Sequence, residues 1–428
     1  MNGAKDAQNR QSRLYGALNR PVTVIFTEDA LAVANGLDYE DFMSLVTDSS
    51  ELAALCQTFA KYPYVTVDTE FLRETTYWPK LCLLQAASPD EAVLVDPLAD
   101  GLSLQPFFEL LRNKKIVKVF HAARQDIEIF VKLSGEVPES IFDTQIAASV
   151  CGFGDSVSYD NLVRSVTGVE LDKSSRFTDW SHRPLTEKQR QYALADVTYL
   201  RDIYLKLRQQ VTDTHRWDWV EDELDTLRSI DTYVVKPENA WERLKTKLGK
   251  PRDLAALKAL AAWRERRAQD TDQPRSRVLK DDALIELAMQ RPLTPDAFDK
   301  LRAVQRGYGR SSAAGEILSL LRGVEALPKS DLPPAAERYR GPSPKGAVGD
   351  LIRVLLKAVS EEHGVAARIV ATSDEIDALV LDDEADVPAL RGWRRKLFGE
   401  RALAIKHGKL GLAATRKGVV EIALPTAD

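Results

Sequence analysis

The chain has 428 residues, 44% hydrophobic and 29% charged, with a formal net charge of −5, which is ordinary for a globular protein and too long for one typical domain. No window approaches the roughly 18 unbroken apolar residues of a membrane span, and the start, MNGAKDAQNRQSRLYGALNR, has no apolar core of a secretory signal. Cys56, Cys82 and Cys151 stand far apart without a CxxC pair, so neither a disulfide framework nor a zinc site is expected, and reduced thiols in a cytoplasmic protein are.

Residues 1–40 are polar with short apolar pieces such as Val22 to Phe26, and read as an N-terminal extension. Ser50 to Ala60 predicts a helix, with Leu52, Leu55, Cys56 and Phe59 at helical spacing. Tyr64 to Val67, Leu81 to Ala87 and Ala92 to Val95 read as strands, and Leu104 to Leu111 as a short helix. Lys115 to Phe120 alternates like a strand and leads into a helix near Ala123; helical patterns then dominate from Phe142 to Leu227. Strands interleaved with helices predict an α/β layer domain over residues 41–230. The pattern breaks at Thr232 to Pro237, and 238–326 reads as wholly helical, with Leu254, Leu257, Leu260 and Trp263 in phase. Pro328, Pro333, Pro334, Pro342 and Pro344, with Gly341 and Gly346, mark a second boundary. Residues 346–425 begin helical at Leu351 to Val359 and end in a β-like piece, Gly418 to Leu424.

Charge is divided unevenly. Residues 241–330 carry 19 Lys+Arg against 12 Asp+Glu, whereas 1–240 carry 25 against 37. Such a division suits an acidic body that binds cations beside a basic one that grips phosphates, although solvated surface of varying sign is the commoner cause.

The segment Val65-Thr-Val-Asp68-Thr-Glu70 carries the most chemistry. Side chains alternate along a strand, so Asp68 and Glu70 project from one face. Paired carboxylates repel unless a cation sits between them, and hard oxygen ligands select Mg²⁺ or Mn²⁺ over zinc. A lone D-x-E usually means a solvated strand end, so the later carboxylates decide. Asp126 follows the KIVKVF strand, where a βα connection places it near the sheet edge. Asp143 reads as an N-cap or a site residue, with the cap or a supporting role favoured. Asp196 follows Tyr192 by four positions, which puts phenol and carboxylate on one helix face.

The whole set resembles the ribonuclease D family of DEDDy-type 3′→5′ exonucleases. Val67 to Gln85 (VDTEFLRETTYWPKLCLLQ) looks like its first motif, HAARQD ending at Asp126 like its second, and Tyr192-Ala-Leu-Ala-Asp196 like its third. Lys173 to Leu185 (KSSRFTDWSHRPL) resembles a family signature. Leu279-Lys-Asp-Asp-Ala-Leu284, with the Gly307 and Gly309 turn, resembles a helicase-and-ribonuclease-D C-terminal (HRDC) domain. Gly392-Trp393 and Phe398-Gly399 resemble the family's weaker second module. The resemblance implies a ribonuclease H-like α/β exonuclease domain, a mixed sheet with flanking helices, followed by two all-α HRDC-like domains. Asp68, Glu70, Asp126 and Asp196 would hold two Mg²⁺ ions, with Mn²⁺ as the alternative. Tyr192 would orient the attacking water, because a phenol of pKa about 10 is a poor base at neutral pH. Two departures stand out: Arg176 occupies a position where the family often has glutamine, and the segment before Met43 has no counterpart in shorter relatives.

Phe71, Arg73, Tyr77 and Trp180 are candidates to stack on or clamp the 3′-terminal nucleotide, and His182 is a weaker substrate-loop candidate. His121 is expected to pack or hydrogen-bond beside the second motif. Two basic clusters are expected to position RNA. One comprises Arg243, Lys245, Lys247, Lys250, Arg264, Arg266, Arg267, Arg302, Arg306 and Arg310, interleaved with Trp241, Trp263 and Tyr308. The other comprises Arg394, Arg395, Lys396, Arg401, Lys406, Lys409, Arg416 and Lys417. The function expected is 3′-end trimming of RNA, tRNA precursors by resemblance, with no membrane association and no obligate protein partner evident. The alternatives are a DNA 3′→5′ exonuclease and an RNA-binding protein with a retired site.

Overall fold

The computed structural model describes residues 45–246, 248–305, 307–334 and 346–425. The expected extension 1–40, the domain start at 41, Lys247, Arg306 and the prolines 342 and 344 lie outside the described residues.

A six-stranded sheet organises the first body. Its strands are β1 (Leu45–Val46), β2 (Tyr64–Leu72), β3 (Lys80–Ala87), β4 (Ala92–Val95), β5 (Val117–Phe120) and β6 (Ile141–Asp143) in spatial order β1-β4-β3-β2-β5-β6. β2 pairs antiparallel with β3 and parallel with β5, so the sheet is mixed. Its helices are α1 (Ser49–Phe59), α2 (Gln105–Arg112), α3 (Arg124–Ser134), α4 (Thr144–Val150), α5 (Tyr159–Thr167), α6 (Glu187–Asp213) and α7 (Trp217–Arg228). Helices on both faces make β2 a two-sided buried strand, which explains its unbroken run Tyr64-Val-Thr-Val. The predicted order of helices and strands from Ser50 to Phe120 is observed. Two short edge strands, β1 and β6, depart from expectation. β6 falls inside the stretch read as helical, because three residues are too few to show a period of two.

The first helical body packs α8 (Pro251–Asp270), α9 (Asp281–Gln290) and α10 (Ser312–Ala326) around Leu257, Leu260, Leu284, Phe298 and Ile317. The resemblance-bearing turn has a physical reason. Gly307 sits at φ +82, and a Cβ on Gly309 would stand 2.8 Å from the Pro295 carbonyl oxygen.

The second helical body, α11 (Ala347–His363), α12 (Ser373–Leu381) and α13 (Glu400–Lys406), has its own core around Ile352, Leu355, Leu379 and Phe398. It is not purely helical: the predicted β-like piece pairs as a hairpin, β7 (Leu410–Thr415) with β8 (Gly418–Ala423). This body docks on the α/β body through α7. Trp219 and Trp393 stack with ring centroids 4.2 Å apart, and Ala366 N donates to Ser149 O at 2.9 Å. No helix among the described residues is long and apolar enough to cross a membrane.

Candidate active site

Three carboxylates converge where β2 meets α6. Ligand oxygens of Asp68, Glu70 and Asp196 all lie within 4.8 Å of one another. β2 alternation puts Asp68 and Glu70 on the α6 face, and the register shift at Glu70/Phe71 bends the ladder there. α6 starts sharply, because Thr186 and Gln189 form a capping box. Its placement is keyed by Thr66 Oγ1, which donates to Val197 O at 2.8 Å. That bond lies one residue from Asp196 and two from Asp68.

Asp126 enters from the first turn of α3, buried, and accepts a hydrogen bond from Thr69 Oγ1. It stands outside the tightest trio but shares its field. Asp143 holds α3 in place: its carboxylate accepts Ala123 N at 2.8 Å and Ala122 N at 3.2 Å, and it caps α4 through Gln145 N at 2.7 Å. The supporting role expected of Asp143 is the one observed. His121 bridges Thr144 Oγ1 at 3.0 Å and the Val157 carbonyl at 3.1 Å, as expected of a hydrogen-bonded support.

Burial makes these acids resist ionisation, and at Asp68 and Glu70 the neighbouring carboxylates add to it. Burial first, then the charges of Asp126, Asp196 and Glu70, hold Asp68 well above the carboxylate range. Burial, then Asp196 and Asp126, push Glu70 up to about 9, with Arg176 opposing. Burial raises Asp126 and Asp196 to about 7 each. Such a set fits a divalent cation, whose charge reverses the penalty, and its all-oxygen donors suit a hard ion. Burial and the neighbouring Asp196, Glu70 and Asp68 also keep the Tyr192 phenol protonated. It is therefore a hydrogen-bond donor at the site.

The substrate candidates separate. Arg73 forks onto Glu128 of α3 with both bonds at 2.8 Å. Tyr77 is buried, and its hydroxyl faces Glu265 of α8. Trp180 is buried against Tyr192, ring centroids 6.0 Å apart, leaving no open face for a base. Phe71 is half-buried and His182 exposed. Two residues were missed. Phe177 is 90% exposed; it lies inside the quoted signature, and its apolar side chain between polar neighbours was the available signal. Gln85 faces Asp68 in the β2–β3 register, fully buried, and neither amide atom has a hydrogen-bond partner among the described residues.

The basic clusters are partly neutralised. Arg264 pairs with Asp281, Arg266 with Glu238 and Arg267 with Glu316. Arg243, Lys245, Lys250, Arg302 and Arg310 are exposed. In the C-terminal cluster Arg394 is buried and pairs with Glu223 and Asp222, Arg401 with Glu362 and Glu421, and Lys406 with Asp383. That cluster is a docking and folding surface as much as a cationic one.

Comparison with known proteins identifies the family. A 3′-5′ exonuclease family matches residues 43–212, and the HRDC domain family matches residues 253–318. The ribonuclease D of Nitrobacter hamburgensis is 51% identical over 380 residues, covering 89% of this chain and 99% of that protein. The ribonuclease D of Bartonella henselae is 46% identical, covering 87% and 92%. Among solved structures, Escherichia coli RNase D, an exoribonuclease involved in structured RNA processing, superimposes with a TM-score of 0.76 at 31% identity, over 85% of this chain and 98% of that one.

Proposed function

Since the chain belongs to the ribonuclease D family, and is thus a 3′→5′ exoribonuclease, we propose that it trims the 3′ ends of structured RNA in the cytoplasm, tRNA precursors foremost, releasing nucleoside 5′-monophosphates. The observation that carries this reading is the convergence of Asp68, Glu70 and Asp196 within 4.8 Å beside a protonated tyrosine.

Asp68, Glu70, Asp126 and Asp196 would hold a pair of Mg²⁺ ions, with Mn²⁺ able to replace them. The chemistry such a pair would supply there is Lewis acidity toward a water and toward the leaving oxygen of an in-line displacement. The chain's own groups do the rest. Tyr192 donates a hydrogen bond that orients the attacking water. Thr69 steadies the Asp126 carboxylate, and Asp143 fixes the helix that carries it. Arg176 brings positive charge beside the carboxylates, where it offsets an incoming phosphate. The domains would be the nuclease at 41–230, an HRDC domain at 238–326 and an HRDC-like domain at 346–425, with the exposed arginines and lysines of the two helical domains contacting RNA phosphates.

The test is digestion of one RNA labelled at either end, with and without EDTA, beside DNA of matched sequence. We expect labelled mononucleotide from the 3′-labelled strand at once, a ladder from the 5′-labelled strand, and no product with EDTA or with Asp68→Asn. Faster cutting of DNA, or unchanged turnover by Asp68→Asn, would overturn the reading.

A further inference from the structure

We propose that Arg176 and Phe177 form a docking platform for the 3′-terminal single strand, with a nucleobase stacked on the Phe177 ring and a backbone phosphate on the Arg176 guanidinium. The proposal rests on the ribonuclease reading above and adds the groups that hold the strand at the metal site.

Phe177 is 90% exposed, whereas the next most exposed large hydrophobic among the described residues is Leu133 at 51%. An aromatic ring held almost wholly in water forgoes burial, yet its flat face suits any base. The ring is not on a loose tip. The Ser175 side chain is buried, Thr178 Oγ1 donates to Ser175 O at 2.8 Å, and Gln189 Nε2 of α6 donates to Thr178 Oγ1 at 3.1 Å. On the far side Trp180 packs on Tyr192, and Arg183 forks onto Asp96 at 2.7 and 2.8 Å while also donating to Cys82 O at 2.6 Å. The loop is thus fastened to the helix that carries Tyr192 and Asp196, and to the strand beside Asp68 and Glu70.

Arg176 lies over the Phe177 ring, its guanidinium carbon 5.2 Å from the ring centroid, so a base would stack on the opposite face. A cation beside the ring, on a loop fastened to the helix of Tyr192 and Asp196, can meet the phosphate of a base stacked there. Of the other aromatic candidates near the motifs, Tyr77 and Trp180 are buried and Phe71 is half-buried. That leaves Phe177 as the open ring on this loop.

The experiment uses the full-length protein and a single-stranded RNA with 2-aminopurine at its 3′ end. Steady-state turnover is measured for the wild type and for Phe177→Ala, Phe177→Leu and Phe177→Trp. Binding fluorescence is measured in an Asp68→Asn background that prevents turnover. We expect Phe177→Ala to raise KM about tenfold with kcat changed less than about twofold, the stacking of one base being the loss. It should also abolish the fluorescence quench. Phe177→Trp should restore both, and Phe177→Leu neither. Arg176→Ala should flatten the salt dependence of binding by about one phosphate contact. Unchanged KM and quench in Phe177→Ala overturn the platform, as does full rescue by leucine, which would mean apolar cover without stacking. Loss of self-association at unchanged KM would assign the ring to contact between copies and likewise overturn it. A wild type that does not shorten RNA ends the ribonuclease reading and the platform together; one that does, with the KM of Phe177→Ala, ends the platform alone.

Discussion

The Tyr77 hydroxyl, on the loop that leaves the carboxylate strand β2, donates its hydrogen bond to the Glu265 carboxylate of α8, which is 1% exposed. Arg275 completes the junction, donating to Tyr77 Oη at 2.8 Å and to both Glu265 oxygens at 2.5 Å. Asp272 accepts the backbone N–H groups of Tyr77 at 3.0 Å and Trp78 at 2.9 Å. The same loop holds Arg73, forked onto Glu128. The first helical body therefore grips the chain a few residues beyond Glu70.

Tyr77→Phe removes a hydrogen bond to a buried charged group, a loss of about 1.5–3 kcal/mol. It should lower Tm by several degrees, at about 2–4 °C per kcal/mol for a protein of this size. Glu265→Gln should cost more, because it leaves Arg275 without its charge partner. A thermal double-mutant cycle of the two should show coupling above about 0.5 kcal/mol. Additive effects would mean that the pair does not join the two bodies.

The carboxylate cluster predicts how pH and metal act on stability. Glu70, held at about 9, and Asp126 and Asp196, at about 7, lie above the unfolded carboxylate range of about 4. Between the unfolded and folded values the native state binds protons that the unfolded state has released, so stability is present at low pH and is lost as pH rises through the folded values. Metal-free protein should lose Tm from about pH 4 to about pH 9, most steeply below about pH 7, and Mg²⁺ or Mn²⁺ should restore more at the upper end. Asp68→Asn should raise the metal-free Tm and flatten its slope. A metal-free Tm that climbs over this window would remove the physical basis of the site.

Tyr192→Phe separates donation from metal binding. Because burial and the neighbouring carboxylates hold the phenol protonated, the hydroxyl contributes as a positioned donor. Losing one such donor at a reacting oxygen typically costs about 10²–10³-fold in rate. We expect kcat to fall by about that factor, with KM and the metal-induced rise in Tm retained. Full activity in Tyr192→Phe would take the hydroxyl out of the reaction.

How much of this was legible depends on the range of each interaction. Asp68 with Glu70, and Tyr192 with Asp196, are local pairs fixed by the periods of a strand and a helix, so spacing exposes them. Asp126 is legible only as a carboxylate near the sheet edge after the KIVKVF strand, and its metal-binding role came with the resemblance, because its approach depends on how α3 leaves β5. Tyr77 reads as a free aromatic beside a motif; only a residue 188 positions away makes it a junction. Arg394 reads as one cation among eight in a basic run, but its side chain lies between α7 carboxylates and the Ile369 carbonyl, which it meets at 2.8 Å. The three-residue β6 was too short to declare a period.

Gln85 poses a stability–function contrast. A buried amide with no partner costs about 1–3 kcal/mol of desolvation. Gln85 occupies the position opposite Asp68, where a bound ion, water or substrate can satisfy it. Gln85→Leu should keep or raise the metal-free Tm while lowering exonuclease turnover. Equal turnover with a higher Tm would reduce Gln85 to a packing residue.

The C-terminal basic cluster can be divided by the same reasoning. Arg394 is buried between Glu223 and Asp222, and its neighbour Trp393 stacks on Trp219. Glu223 and Asp222 remain partly exposed, 28% and 48% at the side chain, so screening trims the loss in Arg394→Ala to about 1–3 kcal/mol. Lys409 is exposed, and none of the ion pairs among the described residues engages it. Arg394→Ala should therefore lower Tm and leave the salt dependence of RNA binding intact. Lys409→Ala should leave Tm intact and, if its ammonium meets a phosphate, reduce the salt slope by about one. A lysine variant with the wild-type slope would leave docking on α7 as the supported role of this cluster.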